Sequence, residues 1–502
     1  MSKLLRWRWV SVMLALFTSA WLWKAPPVQA AGPDESPARH EQLAAAYRTQ
    51  ELTFNNEAVQ LAGTLVLPKS GAGPFPAVVM VHGSGAETRQ SYWDSGEVEI
   101  FLQSGLAVFV YDKRGTGESG GDWRTASLQD LAADAVAAVK RLSSRPEIDA
   151  ANIGLYGVSQ GGWLMPLAAA NAPQVAFVVN ITGAAVPLAN QEMWSVGNEL
   201  RQRGFSEPAL DSTMKSMHLL FSARPLLQSG RLPLGDLYIW FAALDPYLNP
   251  AELWAQVSQP AYVAYGAADA LVPTADSVAV MQSVFADSRN PASRLVVYPD
   301  AGHGVRLPAG QWAPGHIQRV TEWMKSVSNG SPPQPVPEPD LINSGAQRWA
   351  GLGAAQTPWY ATYGVQIGLM VFFAAVFGAG LLTALNPWAK LALPAMGNLP
   401  RAALLLASIV NLALLVGLLA VIAFLAFADA NGSGPQVPYA GVLAALAGIS
   451  VLLAIVLLIF AWSGWQSAVW SAWMRSLYIL VAAAAAAYLP FLLYWNLLGP
   501  PL

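Results

Sequence analysis

Residues 154–162 read "GLYGVSQGG", Gly154 to Gly162, and set a serine between glycines directly after a short apolar run. The preceding "NIGLY" has the pattern of a buried strand, and the following "QGGWLMPLAAANA" that of a helix start. Ser159 then occupies a sharp strand-to-helix turn with no room for side chains two positions to either side. Glycine at 157 and 161 meets that steric demand, and the turn aims the hydroxyl into the crevice above a sheet. A lone Gly-x-Ser-x-Gly recurs by chance, so its reading depends on what surrounds it.

Outward from the serine, β-rich runs alternate with helical stretches: "LAGTLVLP", "PAVVMVHG", "LAVFVYD", "NIGLYG", "VAFVVNI", "AYVAYG" and "RLVVYP". Between the third and fourth, Leu128, Leu131, Ala132, Ala135 and Val139 recur at helical spacing. This alternation predicts a mostly parallel, doubly wound sheet with right-handed crossovers, whose reactive groups gather at the carboxyl ends of the strands. One insertion, residues 184–258, interrupts it with helical patterning and large apolar side chains, among them Trp194, Phe205, Met214, Met217, Tyr238, Trp240, Phe241 and Trp254. It either caps a pocket or fills a core of its own.

A serine hydroxyl needs a base to take its proton, and the base needs a third group to fix its tautomer. The chain has five histidines, at 40, 82, 218, 303 and 316. Only His303, in "RLVVYPDAGHG", follows an expected strand by a short glycine-flanked loop. His316 falls in an amphipathic terminal helix and reads as structural. For the acid, "AYVAYGAADALVP" places Asp269 just past a strand, whereas Asp276 falls in a helix and Asp300 sits too near His303 to back it. Ser159, Asp269 and His303 thus appear in the order this architecture expects.

The oxyanion needs preorganised donors, usually two backbone N–H groups. Gln160, opening its helix, supplies one, because first-turn N–H groups are unpaired. Ser84, in the glycine-rich turn of "VMVHGSGAETR", is the choice for the other, with His82 bracing that loop. "YDKRGTGESGG" reads as a structural turn held by local pairing of Asp112 and Arg114.

Bulk properties limit the remaining classes. Only 12% of the 502 residues are charged and 54% are hydrophobic, against about 25% charged in an ordinary soluble domain, so much of the chain belongs in lipid. A net charge of −3 gives no basic surplus for nucleic acid. With no cysteine, disulfides and thiolate sites are excluded. No HExxH, ligand-spaced histidine pair or Walker lysine is present, so neither metal nor cofactor is expected.

Residues 1–30 carry Lys3, Arg6 and Arg8, an apolar run from Val10 to Trp23, then Val28-Gln29-Ala30, the grammar of a signal peptide. Residues 327–348 form a proline-rich linker, expected to be extended. Four apolar segments follow within 361–497, at 361–385, 402–428, 439–462 and 476–497, each long enough to span a bilayer. Lys390, Arg401 and Arg475 mark the cytoplasmic connections, which leaves everything before the first span outside. Asn411 is the notable polar group within the spans, so an anchoring role is favoured over transport.

"HGSG", "DKRGTGESGG", "GVSQGG", "GAADALVP" and "AGHG", in this order, resemble the α/β-hydrolase fold, nearest the esterases and serine peptidases related to dienelactone hydrolase and the prolyl oligopeptidase catalytic domain. The resemblance covers residues 48–326 and implies a Ser159, Asp269, His303 triad and an acyl-enzyme intermediate. The expectation is a helically capped hydrolase domain outside the membrane, tethered by four transmembrane helices to the lipid bilayer and cleaving a carboxylic ester, acyl or lipid-derived. A peptidase or amidase acting on peptides, or a non-catalytic binding protein keeping the fold, are the alternatives.

Overall fold

The computed structural model describes residues 45–223, 245, 247–287, 292–331, 358–385, 398–428, 437, 439–467 and 470–498. The expected signal peptide, most of the linker, and Tyr238, Trp240 and Phe241 of the insertion lie outside these residues. The chain divides into two compact units: one comprises residues 24–196 and 238–355, and the other includes residues 197–237 and 356–502.

In the first unit, eight described strands form one sheet: β1 (Arg48–Asn56), β2 (Val59–Leu67), β3 (Phe75–Val81), β4 (Ala107–Tyr111), β5 (Ile148–Val158), β6 (Val178–Ile181), β7 (Ala261–Gly266) and β8 (Arg294–Tyr298). Their order is β1-β2-β4-β3-β5-β6-β7-β8. The β1–β2 and β2–β4 pairs are antiparallel and every pair from β4 through β8 is parallel. β3 and β4 are near-continuous apolar runs because both faces are covered. β1 carries no such run; only Leu52 and Phe54 are buried, and it lies at the sheet edge. Its alternation of buried and exposed positions is that of a strand with one wet face.

The helices of this unit are α1 (Gln90–Ser95), α2 (Glu97–Gln103), α3 (Leu128–Ser143), α4 (Gln160–Asn171), α5 (Leu188–Gln202, which runs on into the second unit), α7 (Pro250–Trp254), α8 (Thr274–Asp287) and α9 (His316–Ser328), with α6 (Glu207–Ser222) in the other unit. α3 starts on a capping box in which Ser127 and Asp130 satisfy each other's backbone N–H, and it buries Leu128, Leu131, Ala132, Ala135 and Val139. Trp93, Phe101, Tyr156, Phe177, Tyr262 and Trp323 build one continuous core; Phe177 meets Trp323 edge-to-face at 5.9 Å. The sheet, its order and its helices are those of the α/β-hydrolase fold.

The second unit contains α10 (Tyr363–Leu385), α11 (Asn398–Ala428), α12 (Ala440–Gln466) and α13 (Ala472–Tyr494), four helices long and apolar enough to cross a membrane. Their outward positions are apolar too: Val371, Leu382, Val416, Leu452 and Ile459 are exposed, as lipid-facing residues would be. Buried Asn411 accepts a 2.5 Å hydrogen bond from Ser450, a polar contact that joins α11 to α12. Arg401 donates to the Ala384 carbonyl at the end of α10, and Arg475 to that of Ser467 just after α12. Both arginines therefore lie at one end of the bundle. At the opposite end α6 packs on α10 and α11.

Candidate active site

Ser159 stands between β5 and α4 with φ 55 and ψ −120, in the left-handed half of the map. A serine held there costs about 1–3 kcal/mol, so its surroundings must over-determine it. They do so by backbone contact. A Cβ on Gly157 would lie 2.4 Å from the Gly161 carbonyl group, and one on Gly161 would lie 2.3 Å from the Val81 oxygen. The Ser159 N–H donates to Ile181 O at 2.9 Å, which ties the elbow to the end of β6.

Asp269 follows β7 and is buried. Its Oδ1 accepts the N–H groups of Leu271 and Val272 at 2.8 and 3.0 Å. Its Oδ2 lies 2.9 Å from His303 Nδ1. One oxygen fixes the carboxylate and the other is left for the imidazole. With the carboxylate accepting, Nδ1 carries the proton and Nε2 is the basic nitrogen. Burial alone would lower the His303 pKa, but the charge and hydrogen bond of Asp269 outweigh it and hold the pKa above 6.5.

His303 opens a single 3-10 turn, His303–Val305, beyond β8. Gly304, at φ 68, donates its N–H to Thr182 Oγ1 at 3.1 Å. The serine elbow and the histidine turn are thus bonded to consecutive residues, Ile181 and Thr182, at the carboxyl end of β6. Ser159, Asp269 and His303, distant in sequence, each follow the carboxyl end of a strand of the parallel part of the sheet, the rim where parallel α/β sheets present ligands.

The glycine-rich loop after β3 passes over this rim. A Cβ at Gly83 would come within 3.8 Å of Ser159 Cβ and 3.5 Å of the Val158 oxygen. Ser84 follows, partly exposed. Gln160 is buried and is the first residue of α4, so its N–H has no partner within the helix. His82 is buried between Tyr111 O, bonded through Nε2, and Glu87, 3.2 Å from Nδ1, and so braces the loop. Burial would raise the Glu87 pKa, yet His82 and the charge of Lys113 hold it below the usual carboxylate range.

The loop after β4 differs from the sequence expectation. Asp112 and Arg114 do not pair with each other. Asp112 receives Arg89 from the loop after β3, with Nη2 to Oδ2 at 2.8 Å, while Arg114 forks onto Asp134 of α3 at 2.7 Å. Arg89 also reaches Glu51 and Glu118. Between these two residues lies Lys113, which sequence reasoning missed. It is buried, with Nζ 2.7 Å from Gly83 O and 2.8 Å from Gln160 Oε1. The only sequence signal was a lysine wedged between an apolar strand and a glycine turn. His316 packs edge-on to Tyr298 at 5.2 Å, and burial, helped by Arg306 and Arg319, lowers its pKa to about 3. It stays neutral, as a structural residue would.

Residues 57–224 match the family described as X-Pro dipeptidyl-peptidase (S15 family). Among curated proteins, an uncharacterized protein of Pseudomonas aeruginosa is 33% identical over 144 residues, covering 28% of this chain and 38% of that protein. Esterase EstD of Thermotoga maritima is 25% identical over 297 residues, covering 56% of this chain and 68% of the esterase. Among solved structures, a 2,6-dihydroxy-pseudo-oxynicotine hydrolase aligns at 18% identity and TM-score 0.42 over 65% of this chain and 82% of its own. The chain thus spans little more than a third of the Pseudomonas relative's length. The matched family is described as a peptidase and the Thermotoga relative is named an esterase.

Proposed function

We propose that the chain is a membrane-anchored serine hydrolase that cleaves a carboxylic ester through an acyl-enzyme intermediate. The observation that carries this reading is the 2.9 Å contact of the buried Asp269 with His303 Nδ1, on a turn bonded to the same strand end as the strained Ser159 elbow. In the reaction, His303 Nε2 takes the Ser159 proton as Oγ attacks the acyl carbon, and the carbonyl electron pair moves onto oxygen to give a tetrahedral oxyanion. The N–H groups of Ser84 and Gln160 receive that charge. Collapse expels the alcohol, which takes the proton from His303 and leaves the acyl group on Ser159. Water, deprotonated by His303, then attacks the acyl carbon, and the second collapse frees the acid and returns the proton to Ser159.

The hydrolase unit lies outside the cytoplasm in this reading. The signal-like N-terminus supports it, as does the placement of Arg401 and Arg475 at one end of the bundle. The match to a peptidase family favours a second reading, hydrolysis of peptide or amide bonds by the same groups. Short-chain esters, long-chain esters and aminoacyl amides tried on the wild type and on Ser159→Ala decide between them. Ester turnover lost in the variant supports the first reading. Turnover of amides alone supports the second, and turnover of neither by folded protein refutes both.

A further inference from the structure

An oxyanion hole built from two backbone N–H groups on different loops works only if something fixes one loop against the other. Ser84 belongs to the turn after β3, and Gln160 to the first turn of α4. Lys113 comes from a third segment, the loop after β4, and touches both. Its Nζ donates to Gly83 O at 2.7 Å and to Gln160 Oε1 at 2.8 Å. The first of these contacts acts through a single peptide plane. The carbonyl of Gly83 and the N–H of Ser84 belong to the same trans amide and point in opposite directions, so holding that carbonyl sets the direction of that N–H. A cation on the carbonyl oxygen also polarises the amide and makes its N–H a stronger donor. The second contact holds the side chain of the residue whose N–H is the other donor.

We propose that Lys113 is the positioning residue of the oxyanion hole, with one buried ammonium clamping the Gly83–Ser84 peptide to Gln160 so that both N–H groups converge on the developing oxyanion. Its neighbours suit a fixed bridge. The Trp123 ring lies 5.7 Å from Nζ, and the Lys113 N–H bonds to the Glu87 carbonyl at 3.3 Å. Burial lowers the Lys113 pKa to about 8, with the Glu87 charge opposing, so the ammonium persists at neutral pH. Lys113 does not touch the substrate; it acts through the two donors.

The inference rests on the serine hydrolase reading, and its test keeps the two apart. Full-length wild type, Ser159→Ala, Lys113→Met, Gln160→Leu and the Lys113→Met/Gln160→Leu double variant are compared in detergent on 4-nitrophenyl acetate, with phenylboronic acid as a mimic of the tetrahedral state. Lys113→Met is expected to lower kcat by about 10- to 100-fold, less than the ~100- to 1,000-fold loss of a direct donor, with KM changed by no more than about twofold. Boronate affinity should fall in parallel with kcat. The double variant should be little worse than Lys113→Met alone, because both substitutions break one bridge. Should Lys113→Met not fold, Gln160→Leu alone must still lower kcat rather than raise KM. Unchanged kcat in a folded variant, a loss confined to KM, or multiplicative effects in the double variant would overturn the proposal while leaving the hydrolase reading intact. A wild type that neither turns over the ester nor binds boronate, or a Ser159→Ala variant that keeps the turnover, overturns both.

Discussion

At the scale of single residues, His303 is pulled two ways. Burial favours the neutral ring and Asp269 favours the imidazolium, and the carboxylate wins. A general base must be neutral, so kcat/KM should fall as pH drops through the raised His303 pKa. Linkage has the opposite sign: the charged pair stabilises the fold below pH 6.5 and that contribution is lost as pH rises through the folded value. Asp269→Asn removes both raising influences. We expect the acid limb of its pH–rate profile to move to lower pH while kcat falls by about 10,000-fold, and an unmoved limb would mean that Asp269 does not set the base. That Ser159, Asp269 and His303 each come shortly after a strand was legible in the sequence, because the strands before them read as apolar runs. Lys113 was not legible, because its partners lie 30 and 47 residues away and nothing local shows that its stem is buried.

Between elements, the sheet was legible wherever a strand is apolar on both faces. β1 escaped notice because an edge strand with one wet face needs only two inward side chains, Leu52 and Phe54. Pairings between loops escaped too, since charge complementarity in sequence does not say which partner is near. Arg114 and Asp134 show the consequence. Their side chains are 10% and 1% exposed, and they fasten the loop after β4 to α3. Arg114→Ala would strand a buried carboxylate, and breaking such a pair costs about 3–5 kcal/mol. The denaturation midpoint of the variant should fall accordingly, whereas Arg114→Ala/Asp134→Ala should recover part of the loss. A single variant as stable as wild type would show that this pair does not hold the loop.

For the molecule as a whole, hydropathy located the four long helices to within a few residues, because each is an apolar run of more than 20 residues. What hydropathy could not reveal is that α6, from the insertion, belongs to the same unit as those helices. Asn496 donates to Asp211 at 2.7 Å, Ser212 donates to the Trp495 carbonyl at 3.2 Å, and Lys215 binds the Tyr494 carbonyl. The Tyr363 N–H donates to Ser222 Oγ at 2.9 Å. A chain ended at Gly330 loses all of these partners and the helices on which α6 packs. We expect it to bind more of a hydrophobic dye and to melt at a lower temperature than the full chain in detergent. Equal melting and no added dye binding would show that α6 does not depend on the bundle.

The most direct test of the central claim is reaction with a fluorophosphonate, followed by peptide mapping, on the folded full-length chain. A single adduct on Ser159, absent in Ser159→Ala and strongly slowed in His303→Ala, is the predicted result. Folded wild-type chain that carries no adduct, or carries it on another serine, would contradict the account.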